Sequence, residues 1–282
     1  MEIKCDNRRH NNLSSNQRKN HTNVHELTPL REVVGGDMVK IAVLVKQVPD
    51  TNSKIQVNSE RVDLSSVKMV MSPYDEFALE NAMQHKEALG GTVVAITLGD
   101  TGADKILRNA KAIGADEMIR IDCSQYLDSN SLQNALSQVI TSEGFEIVYC
   151  GKSAADTGAG STGPGVAERL GWCSVSNVTD ITFGDSITVN TPADGGNAVI
   201  DVSLPAVISC DKGSSKVRKP NVKGIMMAKK APIEVKDVQL SESTVKVVSH
   251  SMPPAKPAGK KYEGGQSAQT VVQLLRDEAN VI

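Results

Sequence analysis

The sequence has few aromatic residues and no excess of positive charge. Aromatic side chains make up 3% of its 282 residues, and Trp172 is the one tryptophan. The 31 Lys and Arg residues are offset by 33 Asp and Glu residues. Nucleic-acid binders need a positive field, and readers of single strands or carbohydrate stack their ligands on aromatic rings. The composition therefore argues against both classes, and it predicts an aliphatic core.

Long apolar runs and paired cysteines are also missing. No uninterrupted apolar segment approaches the roughly 18 residues that cross a bilayer, so we expect a soluble protein without stable membrane insertion. The cysteines form an odd set with no Cys-x-x-Cys pair, which favours a reducing compartment and buried thiols over zinc or iron–sulfur ligation. We place the protein in the bacterial cytoplasm ahead of the mitochondrial matrix. The cysteines are Cys5, Cys123, Cys150, Cys173 and Cys210.

Residues 1–37 differ in composition from the rest of the chain. They are rich in Asn, His, Arg and Lys, and they end in Gly35-Gly36-Asp37 before a second methionine, Met38. Such a composition predicts a disordered leader. Its acidic residues are atypical of a transit peptide, and no apolar stretch resembles a secretory signal. An upstream start and an organelle-targeting segment both stay open as explanations.

From Met38 onward, short apolar runs alternate with helical patterns. A strand over residues 39–45 precedes a helix over residues 74–89, which Ser72 caps and Pro73 opens. Strands over 92–98, 118–121 and 145–150 alternate with helices over 103–113, 131–142 and 165–170. This order predicts an α/β fold, a doubly wound and mainly parallel sheet with helices on both faces.

After Trp172 the pattern changes to strands joined by tight turns. Runs over residues 175–182, 187–191 and 198–203 predict a β-meander, and residues 206–210 predict a further buried strand. A long basic loop follows over residues 211–226. A Pro- and Gly-rich linker leads to an amphipathic helix over residues 267–279, which must cover its apolar face with the parent domain or with a partner. We therefore divide the chain into a leader (1–37), a main domain (38–235) and a C-terminal linker and helix (236–282).

Ligands of doubly wound sheets bind at the carboxyl ends of the strands, where the strand order reverses. The richest loop at such an end covers residues 151–164 and enters a helix, where small residues and the helix dipole favour a phosphate. Gly158-x-Gly160-x-x-Gly163 matches the dinucleotide fingerprint but follows the fourth strand instead of the first. A glycine-rich turn that only connects strand and helix is the alternative. The predicted nucleotide-binding residues at these ends are Lys46, Ser72, Pro73, Tyr74, Asp75, Gly99, Gly151, Lys152, Ser153, Asp156, Thr157, Gly158, Gly160, Ser161, Thr162 and Gly163.

The sequence shows no arrangement of side chains typical of a catalytic centre or a metal site. His85 lies in a predicted helix and His250 near the C-terminus, and neither has a nucleophile or a metal ligand nearby in sequence. We predict that both histidines are solvated surface residues. The chain is therefore expected to hold a nucleotide without being an enzyme itself.

Four motifs occur in order between Met38 and about Val235. They are Val45-Lys46-Gln47-Val48-Pro49-Asp50-Thr51, Gly151-Lys152-Ser153-Ala154-x-Asp156, Leu204-Pro205-Ala206-Val207 and Ile225-Met226-x-Ala228-Lys229-Lys230-x-Pro232-Ile233. Together they resemble the β subunits of electron transfer flavoproteins. The resemblance implies an α/β fold of the adenine-nucleotide α-hydrolase type and a heterodimer with an α subunit that shares FAD. It also implies electron shuttling between a flavoprotein dehydrogenase, such as an acyl-CoA dehydrogenase, and an acceptor.

The resemblance places an adenine nucleotide at Leu44, residues 72–75, Leu98 and residues 151–162. In many family members this ligand is AMP, and in electron-bifurcating members it is a second FAD that accepts a hydride from NADH. The first motif is closer to the bifurcating and nitrogen-fixation-associated members. The loop after Asp156, however, lacks the second carboxylate and the glutamine usual in those members. AMP and FAD both stay open.

Residues 211–226 resemble the family's recognition loop, which inserts an apolar anchor into a pocket of the dehydrogenase. Val222 occupies the anchor position, and we assign docking roles to Arg218, Met226 and Lys229 as well. A merely solvated basic surface is the alternative. Two other functions stay open for the chain. One is an NAD-dependent oxidoreductase that uses the glycine fingerprint, and the other is a nucleotide-sensing, homodimeric module of universal-stress type.

Overall fold

The computed structural model describes residues 2–5, 39–256 and 258–282. The predicted leader lies outside the described residues except for Glu2–Cys5, which form a strand. The strands are β1 (Glu2–Cys5), β2 (Lys40–Leu44), β3 (Gln47–Pro49), β4 (Gln56–Asn58), β5 (Arg61–Asp63), β6 (Met69–Met71), β7 (Thr92–Gly99), β8 (Glu117–Asp122), β9 (Ile147–Gly151), β10 (Cys173–Val178), β11 (Asp180–Phe183), β12 (Ile187–Ala193), β13 (Gly196–Val202), β14 (Ala206–Cys210) and β15 (Glu234–Lys236). The helices are α1 (Pro73–Leu89), α2 (Asp104–Ile113), α3 (Ser129–Ser142), α4 (Thr162–Leu170), α5 (Val222–Lys230) and α6 (Ala268–Asp277), with 3-10 turns at Thr101–Ala103 and Gly265–Ser267.

These elements belong to two compact units. Gln56–Val62 and Ser249–Ile282 form the smaller one, and the other described residues form the larger one. The larger unit is built on a seven-stranded sheet in the order β10-β14-β9-β2-β7-β8-β15. All six neighbouring pairs are parallel. The predicted doubly wound sheet is therefore confirmed.

The strand order reverses between β2 and β9. From β2 the chain adds β7 and β8 on one side, and it then returns to place β9 on the other side of β2. Connections that leave two adjacent strands in opposite directions open a crevice at their carboxyl ends. This point lies at the centre of the sheet.

Aliphatic residues alternate between the two faces of the sheet. In β2, Ile41 and Val43 join one cluster, and Ala42 and Leu44 join the other. The first cluster packs against α1 and α2 and against the inner side of the meander β11–β13, and the second packs against α3 and α4. Strands buried on both faces read as continuous apolar runs, which is why the sequence pattern located them.

His85 is a buried core residue, so the prediction of a solvated surface histidine was wrong. Its Nδ1 lies 2.9 Å from the Tyr149 hydroxyl, and its ring centroid is 5.1 Å from that of Phe183. Through these contacts α1 is tied to β9 and to the meander. The buried side of α1 also carries Asp75, Glu80 and Asn81. Apolar periodicity cannot identify a buried face made partly of polar residues, so the burial of His85 has no signal in the sequence pattern.

Two predicted elements have different bounds in the structure. The strand predicted over residues 175–182 is two strands, because β10 ends at Val178 in the central sheet and β11 begins at Asp180 in the meander. Asn177 adopts a left-handed conformation, with φ 58°, just before this change of sheet. Helix α4 starts at Thr162, three residues before the predicted start, so Thr162 and Gly163 are helical. In the meander, β11–β12–β13 are antiparallel as predicted.

The smaller unit contains the hairpin strand β4 and the C-terminal segment with α6. The His250 amide donates to the Glu60 carbonyl over 2.9 Å, which joins the segment to the hairpin. Val272 and Leu275 of α6 are exposed, and a groove of about 520 Å³ lies along this helix. In the described part of the chain, no helix has the length and hydrophobicity to cross a membrane.

Replacement of His85 by Gln should reduce the loss of unfolding free energy that accompanies acidification. Burial lowers the pKa of His85 from 6.5 to about 4, so the unfolded chain takes up this proton first as the pH falls. The wild-type free energy of unfolding should therefore decline between pH 6.5 and 4, by up to about 1.4 kcal/mol per pH unit from this group. Gln keeps a hydrogen-bonding group beside Tyr149 but does not titrate.

Urea denaturation at pH 7 and pH 5 measures this effect as the difference between His85→Gln and wild type. His250→Gln serves as the matched control, since it removes a histidine outside the core. If the free energy of unfolding declined equally from pH 7 to pH 5 in wild type and in His85→Gln, the pKa of His85 would not differ between the folded and unfolded states.

Candidate functional site

A buried carboxylate joins the two strands at which the strand order reverses. Asp75, in the first turn of α1, is 6% exposed. Its Oδ2 accepts a hydrogen bond from the amide of Lys46, two residues after the end of β2, over 2.7 Å. Its Oδ1 accepts the amide of Gly151, the last residue of β9, over 3.1 Å. One side chain therefore fixes both edges of the crevice.

The close approach between α1 and β9 requires glycine at position 151. A Cβ there would overlap the Asp75 carboxylate and lie 2.8 Å from the Tyr74 Cβ. Burial raises the pKa of Asp75 from 3.8 to about 7, against the opposing effect of the two backbone amides that the carboxylate accepts. Both carboxylate oxygens therefore accept hydrogen bonds, but the surroundings solvate a negative charge poorly and disfavour the ionised form.

The glycine-rich loop after β9 is fastened across the crevice by two contacts. Lys46 Nζ lies 2.8 Å from both carboxylate oxygens of Asp156. The Ala155 amide donates to Ser72 Oγ over 3.3 Å. Ser72 stands at the N-cap position of α1, as predicted, but its side chain makes no capping hydrogen bond to the helix. Its hydroxyl holds the loop instead.

Backbone groups dominate the rest of this loop. Gly158 and Gly160 have φ values of 62° and 64°, in the left-handed region that glycine adopts without strain. Gly163 lies against the sheet, because a Cβ there would be 2.8 Å from Cys150 Sγ. Ser161 precedes α4, and its side chain makes no capping hydrogen bond. Because α4 is the helix that follows β9, it begins at the carboxyl edge of the sheet. Small residues, free amides and hydroxyls at a helix start fit a phosphate group.

A polar pocket of about 330 Å³ adjoins the loop. Four predicted residues line it, namely Lys152, Ser153, Gly158 and Gly160. Three residues that sequence reasoning missed complete the lining, and they are Ser176, Asn177 and Ser209. Ser209 lies on β14, the neighbour of β9 in the sheet, and Ser176 and Asn177 lie on β10, the next strand beyond β14. Both strands are remote from the loop in sequence. Only the strand order brings them to the loop.

Lys152 connects the loop to the start of the basic segment. Its Nζ lies 2.8 Å from Asp211 Oδ2 and 4.8 Å from the centre of the Tyr74 ring. A cation over an aromatic ring and beside a carboxylate is held in place by both. Asp211 follows β14 and Tyr74 is in the first turn of α1, so this cluster links the ends of two strands to the start of a helix through side chains.

The remaining predicted residues lie at the same edge. Leu44 ends β2, and Leu98 and Gly99 end the adjacent strand β7. The Gly99 carbonyl accepts from Arg120 over 3.2 Å. These positions therefore lie together at one edge of the sheet, and their role in binding a nucleotide stays a prediction. Pro73 and Thr157 are exposed there.

The loop part of the basic segment is shorter than the predicted range of residues 211–226. Residues 211–221 form the loop, and α5 begins at Val222, so Val222, Met226 and Lys229 are on a helix. Asn221 caps this helix by accepting the Gly224 amide over 2.7 Å. An Asn followed by a helical pattern is a signal that could have revealed this start.

Arg218 faces its own chain. Its guanidinium contacts both carboxylate oxygens of Glu80 at 2.9 Å and those of Glu87 at 2.6 and 3.1 Å. Both glutamates are on α1. In the described residues there is also no cluster of three or more His, Cys, Asp or Glu side chains that could hold a metal.

Comparison with known proteins agrees with this geometry. A model of the electron transfer flavoprotein domain matches residues 61–241. The chain is 37% identical to "Electron transfer flavoprotein subunit beta" of Syntrophomonas wolfei subsp. wolfei, over 80% of this chain and 90% of that protein. It is 34% identical to "Protein FixA" of Sinorhizobium fredii, over 68% and 72%. It is also 30% identical to "Electron transfer flavoprotein subunit beta, mitochondrial" of Arabidopsis thaliana, over 86% and 100%.

Replacement of Asp75 by Asn should weaken the link between β2 and β9. Asn offers one acceptor oxygen, and its NH₂ group would face the second backbone amide, so we expect a loss of about 1–3 kcal/mol in the free energy of unfolding. Because the pKa of Asp75 is raised to about 7 in the folded protein, the wild type loses stability as the pH rises from 3.8 through 7. The penalty of Asp75→Asn should therefore be larger at pH 5 than at pH 8.

Chemical denaturation at the two pH values tests this, with Asp185→Asn as the control because Asp185 is an exposed turn residue. The same penalty at pH 5 and pH 8 would contradict the assignment of a raised pKa to Asp75.

Proposed function

Because the chain belongs to the electron transfer flavoprotein family, we propose that it is a β subunit that pairs with an α subunit and shuttles electrons between a flavoprotein dehydrogenase and an acceptor. The observation that carries the nucleotide-holding part of this proposal is the edge built around Asp75. There, the ends of β2 and β9, the start of α1 and the glycine-rich loop converge. We place the protein in the bacterial cytoplasm, and bacterial relatives support that location.

The proposed ligand of this edge is an adenine nucleotide. Leu98, half-buried at the end of β7, offers apolar surface beside the buried Leu44 at the end of β2. Residues 158–163 offer glycines, hydroxyls and the start of α4 for the phosphate. The bound flavin would carry the electrons in the complex, and the protein would supply position and electrostatics. Lys46 and Asp156 neutralise one another across the crevice, which leaves the helix start as the group that attracts an anion.

The C-terminal segment is proposed to hold the α subunit. Val272 and Leu275 of α6 are exposed, and a short amphipathic helix needs a partner for its apolar face. Cover by an α subunit would supply that partner. We keep residues 236–282 as the proposed linker and arm, of which Ser249–Ile282 belong to the smaller unit and residues 236–248 to the larger one.

Release of the ligand should distinguish the two nucleotide alternatives. The heterodimer is purified and denatured with acid, and flavin and adenine nucleotide per dimer are measured by chromatography. One FAD with one AMP identifies a simple electron carrier, and two FAD identify a second flavin in this subunit that could accept a hydride from NADH. The proposal would be refuted if the chain purified as a stable homodimer that contained neither ligand and had no affinity for a flavin-containing partner.

The proposed docking surface for the dehydrogenase is the exposed side of α5. Val222 is 76% exposed and Met226 is 65% exposed. Lys223, Lys229 and Lys230 lie on the same helix. An apolar patch with cationic neighbours fits a partner whose apolar pocket is rimmed by acidic residues. This is the chemistry expected of a dehydrogenase that receives an apolar anchor.

Replacement of Val222 by Asp should slow electron transfer from the dehydrogenase. A charge in place of the anchor would have to be buried in an apolar pocket, so we expect KM for the dehydrogenase to rise about tenfold or more, the effect typical of an interface hot spot. Bound nucleotide should not change, because α5 is separate from the glycine-rich loop. The assay follows reduction of the heterodimer by an acyl-CoA dehydrogenase reduced with its acyl-CoA substrate.

Val199→Asp is the matched control, since Val199 is also an exposed valine but lies on the meander. Equal KM values for wild type and Val222→Asp would remove α5 from the docking surface.

A further inference from the structure

Helix α5 has little packing of its own. It contains nine residues, and Ala228 is its one buried side chain, at 2% exposure. Isolated helices of this length are not stable in water, and helices in proteins depend on a buried face. The surface that α5 presents must therefore be held by contacts with neighbouring elements.

Arg108 of α2 holds the C-terminal end. Its Nη1 donates to the Ala228 carbonyl over 2.6 Å and to the Lys229 and Ala231 carbonyls over 3.2 Å each. The last carbonyls of a helix have no partners within the helix, and they carry the negative end of its dipole. A single guanidinium thus satisfies carbonyls of the last turn and adds a favourable charge.

The backbone of α5 also touches α2 directly. A Cβ at Gly224 would overlap the Ala112 carbonyl oxygen, so the first turn of α5 lies against the end of α2. Asn221 caps that same turn. These contacts fix the distance between the two helices.

Arg218 holds the loop that enters α5. Its guanidinium pairs with Glu80 and Glu87 of α1, and its backbone amide donates to Glu80 Oε2 over 3.0 Å. Glu80 is buried. A guanidinium shared by two carboxylates, with several hydrogen bonds, has little freedom to leave for a partner protein.

We propose that Arg108 and Arg218 are positioning residues for partner docking, which hold α5 from its two ends and present Val222 and Met226 in a preformed arrangement. Groups ordered before binding lose less entropy on association, and this strengthens binding without a new contact. Arg218 acts within the chain in this role, and it does not contact the partner. The inference rests on the proposed docking function of α5.

Hydrogen exchange on the heterodimer tests the first part of this inference. In Arg108→Ala, the amides of residues 222–230 should exchange about tenfold faster, as expected when hydrogen bonds to a charged group are lost from a marginal helix. Amides of the central sheet should keep their wild-type rates. Lys111→Ala is the matched control, because Lys111 is on the same helix but donates to the Asp116 carbonyl. Arg108→Lys should recover part of the protection, since an ammonium can still donate to those carbonyls.

Kinetics of reduction by the same acyl-CoA dehydrogenase test the second part. In Arg108→Ala, KM for the dehydrogenase should rise about five- to tenfold while kcat stays within about twofold, because the docking surface is disordered and the flavins are untouched. Glu87→Gln weakens the contacts that hold Arg218 by changing an exposed side chain. It should raise KM by a smaller factor. A loss of kcat at unchanged KM in either variant would overturn the inference.

The variants separate this inference from the docking proposal itself. If Val222→Asp raises KM while Arg108→Ala and Glu87→Gln change neither exchange nor KM, docking stands and the positioning roles are refuted. If Val222→Asp leaves KM unchanged, the docking function fails and the inference fails with it. Faster exchange in Lys111→Ala to the extent seen in Arg108→Ala would also refute a specific role for Arg108.

Discussion

The carboxylate of Asp75 is the contact on which the ligand edge depends. Its two oxygens hold backbone amides that follow β2 and end β9, and these are the strands at which the chain reverses its order. Apart from Leu98 and Gly99 at the end of β7, the groups proposed to face the nucleotide lie at these two strand ends, in the loop after β9 or at the start of α1. Lys46 and Gly151 are the points of attachment. The price of this arrangement is a carboxylate in a poorly solvated place.

Helix α1 serves three parts of the molecule at once. Its first turn supplies Asp75 to the ligand edge, and Glu80 and Glu87 hold the arginine that precedes the docking helix. His85, between them on the buried side, packs on the meander through Phe183. A helix with so many polar contacts on its buried side is fixed in rotation as well as in position, because each hydrogen bond has one partner and one direction. The proposed nucleotide edge and the proposed docking surface therefore share one helix as a support.

The side chains of the proposed docking surface are exposed, as binding to a partner requires. Because they are not buried within this chain, they do not stabilise α5 by packing. The molecule meets this requirement with charges and capping groups on neighbouring elements. Arg108 reaches the C-terminal carbonyls of α5, and Asn221 satisfies an amide of its first turn. Stability is thus supplied from the side that a partner does not touch. The apolar side chains of α5 stay available.

Much of the fold was determined by local sequence patterns. Continuous aliphatic runs located the buried strands, glycines marked the helix ends, and the loop after β9 was identified as the richest strand-end loop, because hydrophobic burial and backbone freedom act over a few neighbouring residues. Only the tertiary structure decided which distant groups meet. It places His85 beside Tyr149 and Ser209 beside the glycine-rich loop, and it pairs Arg218 with Glu80 of the same chain. Contacts between residues far apart in sequence depend on strand order and helix rotation, and neither leaves a periodic signal in the chain.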